Sequence, residues 1–145
     1  INFLIELENL KKLNLPKGAF VVVGSAPLSV RQIRDSEDLD VIVTQALWDD
    51  LKNKFPTGVN DWGIENLYVG SNIEILNPEQ SIFGNSKVVP FEEIFSQADD
   101  FEGILFMNLE HLRKIKIDLG RPKDLEDITL IDAFRNATAV DNQAK

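Results

Sequence analysis

Two short segments constrain this chain more than anything else in it: Val21-Val22-Val23-Gly24-Ser25 and, after twelve intervening residues, Asp38-Leu39-Asp40-Val41-Ile42-Val43. The first reads as a buried strand running into a Gly-Ser turn. The second sets two carboxylates at i and i+2, the spacing that turns both side chains to one face of a strand. Asp40 lies inside an apolar run, where an unpaired carboxylate is costly to bury. Something must neutralise it, and a divalent cation is the natural candidate.

The rest of the chain alternates helical and extended patterns. Leu4, Leu7, Leu10 and Leu13 recur at helical spacing and predict an amphipathic helix over 3–13, within an N-terminal segment 1–17 closed by Pro16. Phe20–Val23 and Leu39–Val43 predict strands, with a brief helix in Ser25–Ile33 and a polar turn at 34–37. Thr44 suits the N-cap of a helix over 45–55 that buries Leu47, Trp48, Leu51 and Phe55 before Pro56. Residues 57–63 read as a loop. Gly70-Ser71-Asn72 then joins two strands, Glu65–Val69 and Ile73–Leu76, in a hairpin.

A Gly/Asn/Ser-rich stretch at 77–87 precedes a short helix near Phe91–Phe95 and an apolar run, Ile104–Met107. Asn108 is placed to cap a helix carrying Leu109, Leu112, Ile115 and Leu119, and Gly120 to stop it. Pro122 suits the first turn of a last helix with Leu125, Ile128, Ile131 and Phe134 at three-residue steps. A polar tail at 138–145 predicts fraying. No repeat or linker interrupts the 145 residues, so the expectation is one α+β (α/β) domain over 1–145.

Composition removes whole classes of chemistry. The chain has no cysteine, which excludes disulfides, thiolate catalysis and Cys-type zinc sites. A formal net charge of −9 makes long duplex nucleic acid a poor partner. No apolar run approaches the roughly 20 residues that span a bilayer. Glu6 and Glu8 follow the apolar start too closely for a signal peptide, and a cytoplasmic location with no membrane partner is the expectation.

Chemistry must therefore come from carboxylates. Magnesium takes oxygen ligands, commonly one or two carboxylates plus substrate phosphates. Asp38 and Asp40 supply a pair. Glu74, between Ile73 and Ile75, points away from their core side and is the best third. Gly24 lets the backbone approach a phosphate, and amides after Ser25 can donate to it.

In order and spacing, Gly24-Ser25 and Asp38-x-Asp40 resemble the signature of the minimal nucleotidyltransferases of the DNA polymerase β-like superfamily. Lys116 with Arg121-Pro122-Lys123-Asp124-Leu125-Glu126-Asp127 is similar to a late segment of small prokaryotic members. The resemblance covers roughly residues 18–132. It implies a nucleotidyltransferase fold, a small mixed β-sheet flanked by helices. It implies Mg²⁺ or Mn²⁺ on Asp38, Asp40 and Glu74 as the catalytic carboxylates. Gly24, Ser25, Arg34 and Lys116 would bind the nucleoside triphosphate. The implied activity moves a nucleoside monophosphate to a hydroxyl acceptor. The alternative is a binding or antitoxin-like module of the same fold acting on a small helical protein partner.

Each residue also has a plainer reading. Asp38 can be a solvated turn residue, Asp40 half of a salt bridge to Arg34 or Lys116, and Glu74 an outward residue of a hairpin. Arg31 and Arg34 can meet phosphates or cover the surface. Lys116 can snorkel along its helix. Arg121, Lys123, Asp124 and Asp127 can tie the last two helices together through surface ion pairs, which is the reading given to Asp127. His111 reads as a surface residue, and Trp62 as a loop residue able to stack on a base or cover the core.

Overall fold

The computed structural model describes residues 2–60, 63–78 and 90–144. Among these residues seven strands form one mixed sheet: β1 Phe20–Val23, β2 Leu39–Val43, β3 Thr57–Val59, β4 Glu65–Val69, β5 Ile73–Leu76, β6 Asp99–Phe101 and β7 Ile104–Phe106. Their spatial order is β3-β4-β5-β2-β1-β7-β6. β1 and β2 run antiparallel, whereas β2–β5 and β1–β7 are parallel. Six α-helices among the described residues flank the sheet: α1 Asn2–Lys12, α2 Ala26–Val30, α3 Gln45–Leu51, α4 Phe91–Ser96, α5 Leu109–Leu119 and α6 Pro122–Ala144.

The central strand β1 is apolar at every position because both of its faces are covered. Val22, Val41, Leu67 and Ile75 point to one side, where α1 and α3 bring Leu7, Leu10, Leu47 and Trp48. Val21, Val23 and Ile42 point to the other, against Ile94 of α4, Leu112 of α5 and Ile131 of α6. Strand alternation puts Asp40 on this second face, beside Val23, its cross-strand partner. A carboxylate thus enters the layer that α5 and α6 cover.

Local signals fix the ends of the helices that matter. Thr44 Oγ1 accepts the Leu47 N–H at 3.2 Å, and Asn108 Oδ1 accepts the His111 N–H at 2.7 Å. Gly120, at φ +63°, closes α5 and lets α6 start two residues later.

Several expectations shift. In α1 the covered face is Phe3, Leu7 and Leu10, while Leu4 is 62% exposed. The brief helix is confined to Ala26–Val30, and α3 ends at Leu51 instead of running to 55. Residues 57–59, read as loop, form edge strand β3; Gly58 makes this possible, since a Cβ there would stand 2.7 Å from the Tyr68 ring. β6 carries no apolar signal and forms by pairing with β7. The tail expected to fray continues α6 to Ala144. Trp62 and most of the 77–87 stretch lie outside the described residues. No helix among the described residues is long and apolar enough to cross a membrane.

Candidate functional site

β2 and β5 lie parallel with Asp40 directly beside Glu74, so the two carboxylates share one sheet face. The Gly24 turn at the end of β1 closes on them. Gly24 has φ +71°, and a Cβ there would sit 2.4 Å from Asp40 Oδ2, so glycine is required by conformation and by space alike. Among the described residues neither carboxylate has a cation in contact with it. Burial first, then the charges of Glu74 and Asp38 and a hydrogen bond with Glu74, push the Asp40 carboxyl up to about 7, with Lys123 pulling the other way.

Asp40 and Glu74 line a cavity of about 360 Å³ between the sheet and the α5–α6 pair, a volume in the range of small-molecule sites. Gly24, Ser25, Arg34 and Lys116 line it as well. Asp38 does not; it is exposed just before β2, with the Asn72 side-chain amide 3.1 Å from its Oδ1. Six of the seven residues singled out in the sequence therefore meet in one cavity, and Asp38 acts on it through charge.

Two of the six are not free to take a ligand as expected. Arg34 donates to Asp127 through Nε at 2.7 Å and Nη2 at 2.9 Å, to Ser25 Oγ at 2.8 Å and to the Asp35 carbonyl at 2.9 Å. Those four bonds use four of the five N–H donors of a guanidinium. Arg34 is thus tied to the protein and positions Ser25. Because Ser25 Oγ accepts that bond, its own proton is left to donate elsewhere. Lys116 is 6% exposed, with Nζ 2.8 Å from Asp127 Oδ2 and 3.7 Å from Asp124 Oδ1.

The late segment is consequently not a set of surface ion pairs. Asp124 is 0% and Asp127 3% exposed. Burial alone would raise both carboxyls. Hydrogen bonds from Arg121 to Asp124, and from Arg34 and Lys116 to Asp127, outweigh it and hold both below the usual carboxylate range. These cations explain why α6 turns Asp124, Asp127 and Ile131 inward, at i, i+3 and i+7, and leaves the expected core residue Leu125 55% exposed.

Lys123, by contrast, lines the cavity without an ion pair or hydrogen bond among the described residues. Nothing in its spacing distinguishes it from Lys116; only the fold separates the committed lysine from the free one. Asn66 on β4 also lines the cavity, and here a signal existed, since asparagine is a poor strand former at an inward position. Arg31 lies elsewhere, bonded to Asp99 at 2.5 Å and stacked 4.9 Å from the Phe101 ring centroid. His111, read as a surface residue, is largely covered; its Nε2 is 3.9 Å from Glu93 and it does not line the cavity.

Among the described residues no three carboxylates or histidines are grouped to hold a metal ion unaided. Two adjacent, cation-free carboxylates nevertheless fit magnesium or manganese, which complete their shell with water and substrate phosphates. No family model, curated protein or solved structure matches this chain.

Proposed function

We propose that the chain is a metal-dependent nucleotidyltransferase that moves a nucleoside monophosphate from a nucleoside triphosphate to a hydroxyl acceptor. One observation carries this reading: a Gly-Ser turn packed against a half-buried Asp40–Glu74 pair that meets no cation among the described residues, with Lys123, likewise unpaired among them, in the same cavity. Uncompensated carboxylates beside a turn without a Cβ suit an ion bridged to an anionic ligand better than any purely structural role.

The residues divide the work. Asp40 and Glu74, with Asp38 adding charge, would hold the divalent ion, which neutralises the triphosphate and polarises it for attack. Ser25 donates its free proton to a phosphate oxygen. Lys123 meets the polyphosphate charge, and Arg34 and Lys116 keep the turn and α6 in position. The acceptor oxygen bonds to the α-phosphorus as the bond to the β-phosphate bridging oxygen breaks. Pyrophosphate leaves with that electron pair, and Glu74 takes the hydroxyl proton.

Calorimetry with each of the four nucleoside triphosphates, in magnesium, in manganese and in chelator, tests this reading. Binding is expected only with metal, and Asp40→Ala is expected to abolish it. Undiminished binding in chelator, or by the Asp40→Ala variant, overturns it.

A further inference from the structure

The sheet ends in two edge strands of equal length that are finished differently. At one end β6 carries Asp99 and Asp100, with Glu102 just beyond, and Arg31 and Lys17 hold the two aspartates in ion pairs. Charged side chains on an edge keep other strands from pairing with it. At the other end β3 is Thr57-Gly58-Val59, without charge or proline. The Asn60 N–H donates to the Ile64 carbonyl and the Tyr68 N–H to the Pro56 carbonyl, so residues 56, 58 and 60 bond inward to β4. Strand alternation then turns the N–H and C=O of Thr57 and Val59 outward, where nothing among the described residues meets them. Both residues are exposed, and Val59, at 67%, is the most exposed large apolar side chain among the described residues.

Those outward groups are self-complementary. A second β3 laid antiparallel about a twofold axis at Gly58 sets Thr57 of each copy opposite Val59 of the other. Each such pair exchanges both N–H···O bonds and covers Val59 with Thr57 of the second copy. Charge agrees with that orientation. Antiparallel pairing carries the Lys54 end of one copy toward Val59 of the other, whose own cross-strand neighbour Glu65 is exposed and unpaired among the described residues. Lys54 is held only by an exposed pair with Asp50, one helical turn back, which costs little to exchange. We propose that β3 is a homodimerisation edge through which two copies join their sheets into one. Because the pairing uses up β3 and β6 is guarded by charge, the assembly closes at two copies and does not propagate. Asn60, the residue after β3, lines the cavity, so the interface adjoins the candidate site without entering it. The inference stands independently of the nucleotidyltransferase reading.

Sedimentation equilibrium of the whole chain is the test. So short an interface gives a weak, reversible dimer, half-formed at roughly 0.1 mM. Val59→Pro removes the outward N–H while leaving every bond to β4, and is expected to weaken dimerisation about tenfold or more. Val59→Lys puts a guarding charge on the edge and is expected to do the same; it decides the matter if a thermal melt shows that the proline variant does not fold. Register can be checked separately, because the chain has no cysteine. Thr57→Cys mixed with Val59→Cys is expected to form the crossed disulfide at least about tenfold faster than either variant forms its own, since like positions stand too far apart across the axis. The proposal is overturned by a chain that stays monomeric to about 1 mM, by a dimer indifferent to Val59→Lys, or by disulfides with no preference for the crossed pair. A monomeric chain would leave the edge to an extended segment of another protein.

Discussion

The cavity is bordered by two pairs of carboxylates, Asp124 with Asp127 and Asp40 with Glu74, that the fold treats differently. Asp124 and Asp127 on α6 are fully covered and meet Lys116, Arg121 and Arg34, each with at least one contact of 2.6–2.8 Å. Asp40 on β2 meets Glu74 and the bare turn at Gly24. Asp124 and Asp127 are held below the usual carboxylate range, and Asp40 is pushed up to about 7. Where the chain supplies its own cations it has built a brace. Where it supplies none among the described residues, a carboxylate is left without a countercharge, and under the proposed function a cation from solution takes that place.

Removing charge from the braced set should cost the most. Asp127→Asn leaves Arg34 and Lys116 facing a neutral amide in a buried setting, and is expected to destabilise the fold by about 3–5 kcal/mol. The melting temperature should fall by roughly 10 °C, and urea unfolding checks the free energy. Nucleotide affinity should drop as well, because Arg34 holds Ser25 Oγ. A variant as stable as wild type would mean that the cluster braces nothing.

The same substitution in the other set should act in reverse. The folded-state pKa of Asp40 lies above its ordinary value of 3.8, so the native state keeps a proton that the unfolded chain releases between about pH 4 and pH 7. Its contribution to stability is present at low pH and is lost as pH rises through about 7. Asp40→Asn is then expected to stabilise the metal-free protein at pH 8, by up to about 4 kcal/mol, and to change little at pH 4. Asp124 and Asp127 run the other way: their contribution holds above the usual carboxylate range and is lost on acidification. Melts of wild type and Asp40→Asn from pH 4 to 8 separate the two. If the pair of curves stays parallel, Asp40 is not the strained carboxylate.

This contrast was half legible in the sequence. A Gly-Ser turn and Asp-x-Asp around an apolar strand announce themselves, since strand alternation alone puts Asp40 on a covered face. Glu74 was readable for the same reason, flanked by Ile73 and Ile75. The brace was not. Leu125, Ile128 and Ile131 offered an apolar stripe for α6, and a carboxylate face is chosen over it only when cations from α5 and from the turn after α2 arrive beside it. Those contacts span as many as 93 residues, from Arg34 to Asp127, and no periodicity records them. For the same reason the sequence offered Lys116 for the ligand without showing that the fold pairs it with Asp127, while Lys123 stays unpaired among the described residues.

The exchange of roles between them under the proposed function gives a smaller prediction. Lys123→Gln should weaken magnesium-nucleotide binding by about tenfold, the worth of one charge-assisted hydrogen bond, with the melting temperature unchanged. Lys116→Met should lower the melting temperature first. If titration and melts show the opposite assignment, Lys116 leaves its aspartates for the ligand and the brace is a switchable contact.

The smallest effect separates burial from geometry. Arg113 and Asp132 also join α5 to α6 through a two-pronged contact, with Nε at 2.7 Å and Nη2 at 3.0 Å. Those distances match Arg34 on Asp127 almost bond for bond, and in both pairs the contact raises the guanidinium and lowers the carboxyl. The difference is water: side-chain exposures of 34% and 43% at Arg113 and Asp132, against 33% and 5% at Arg34 and Asp127. Exposed partners are rehydrated when the pair breaks, so Asp132→Asn is expected to move the melting temperature by no more than about 3 °C, with nucleotide binding untouched. A loss matching that of Asp127→Asn would show that the two-pronged geometry, and not the dry surroundings, makes the brace strong, and the cavity would then owe its shape to pairing anywhere along α6.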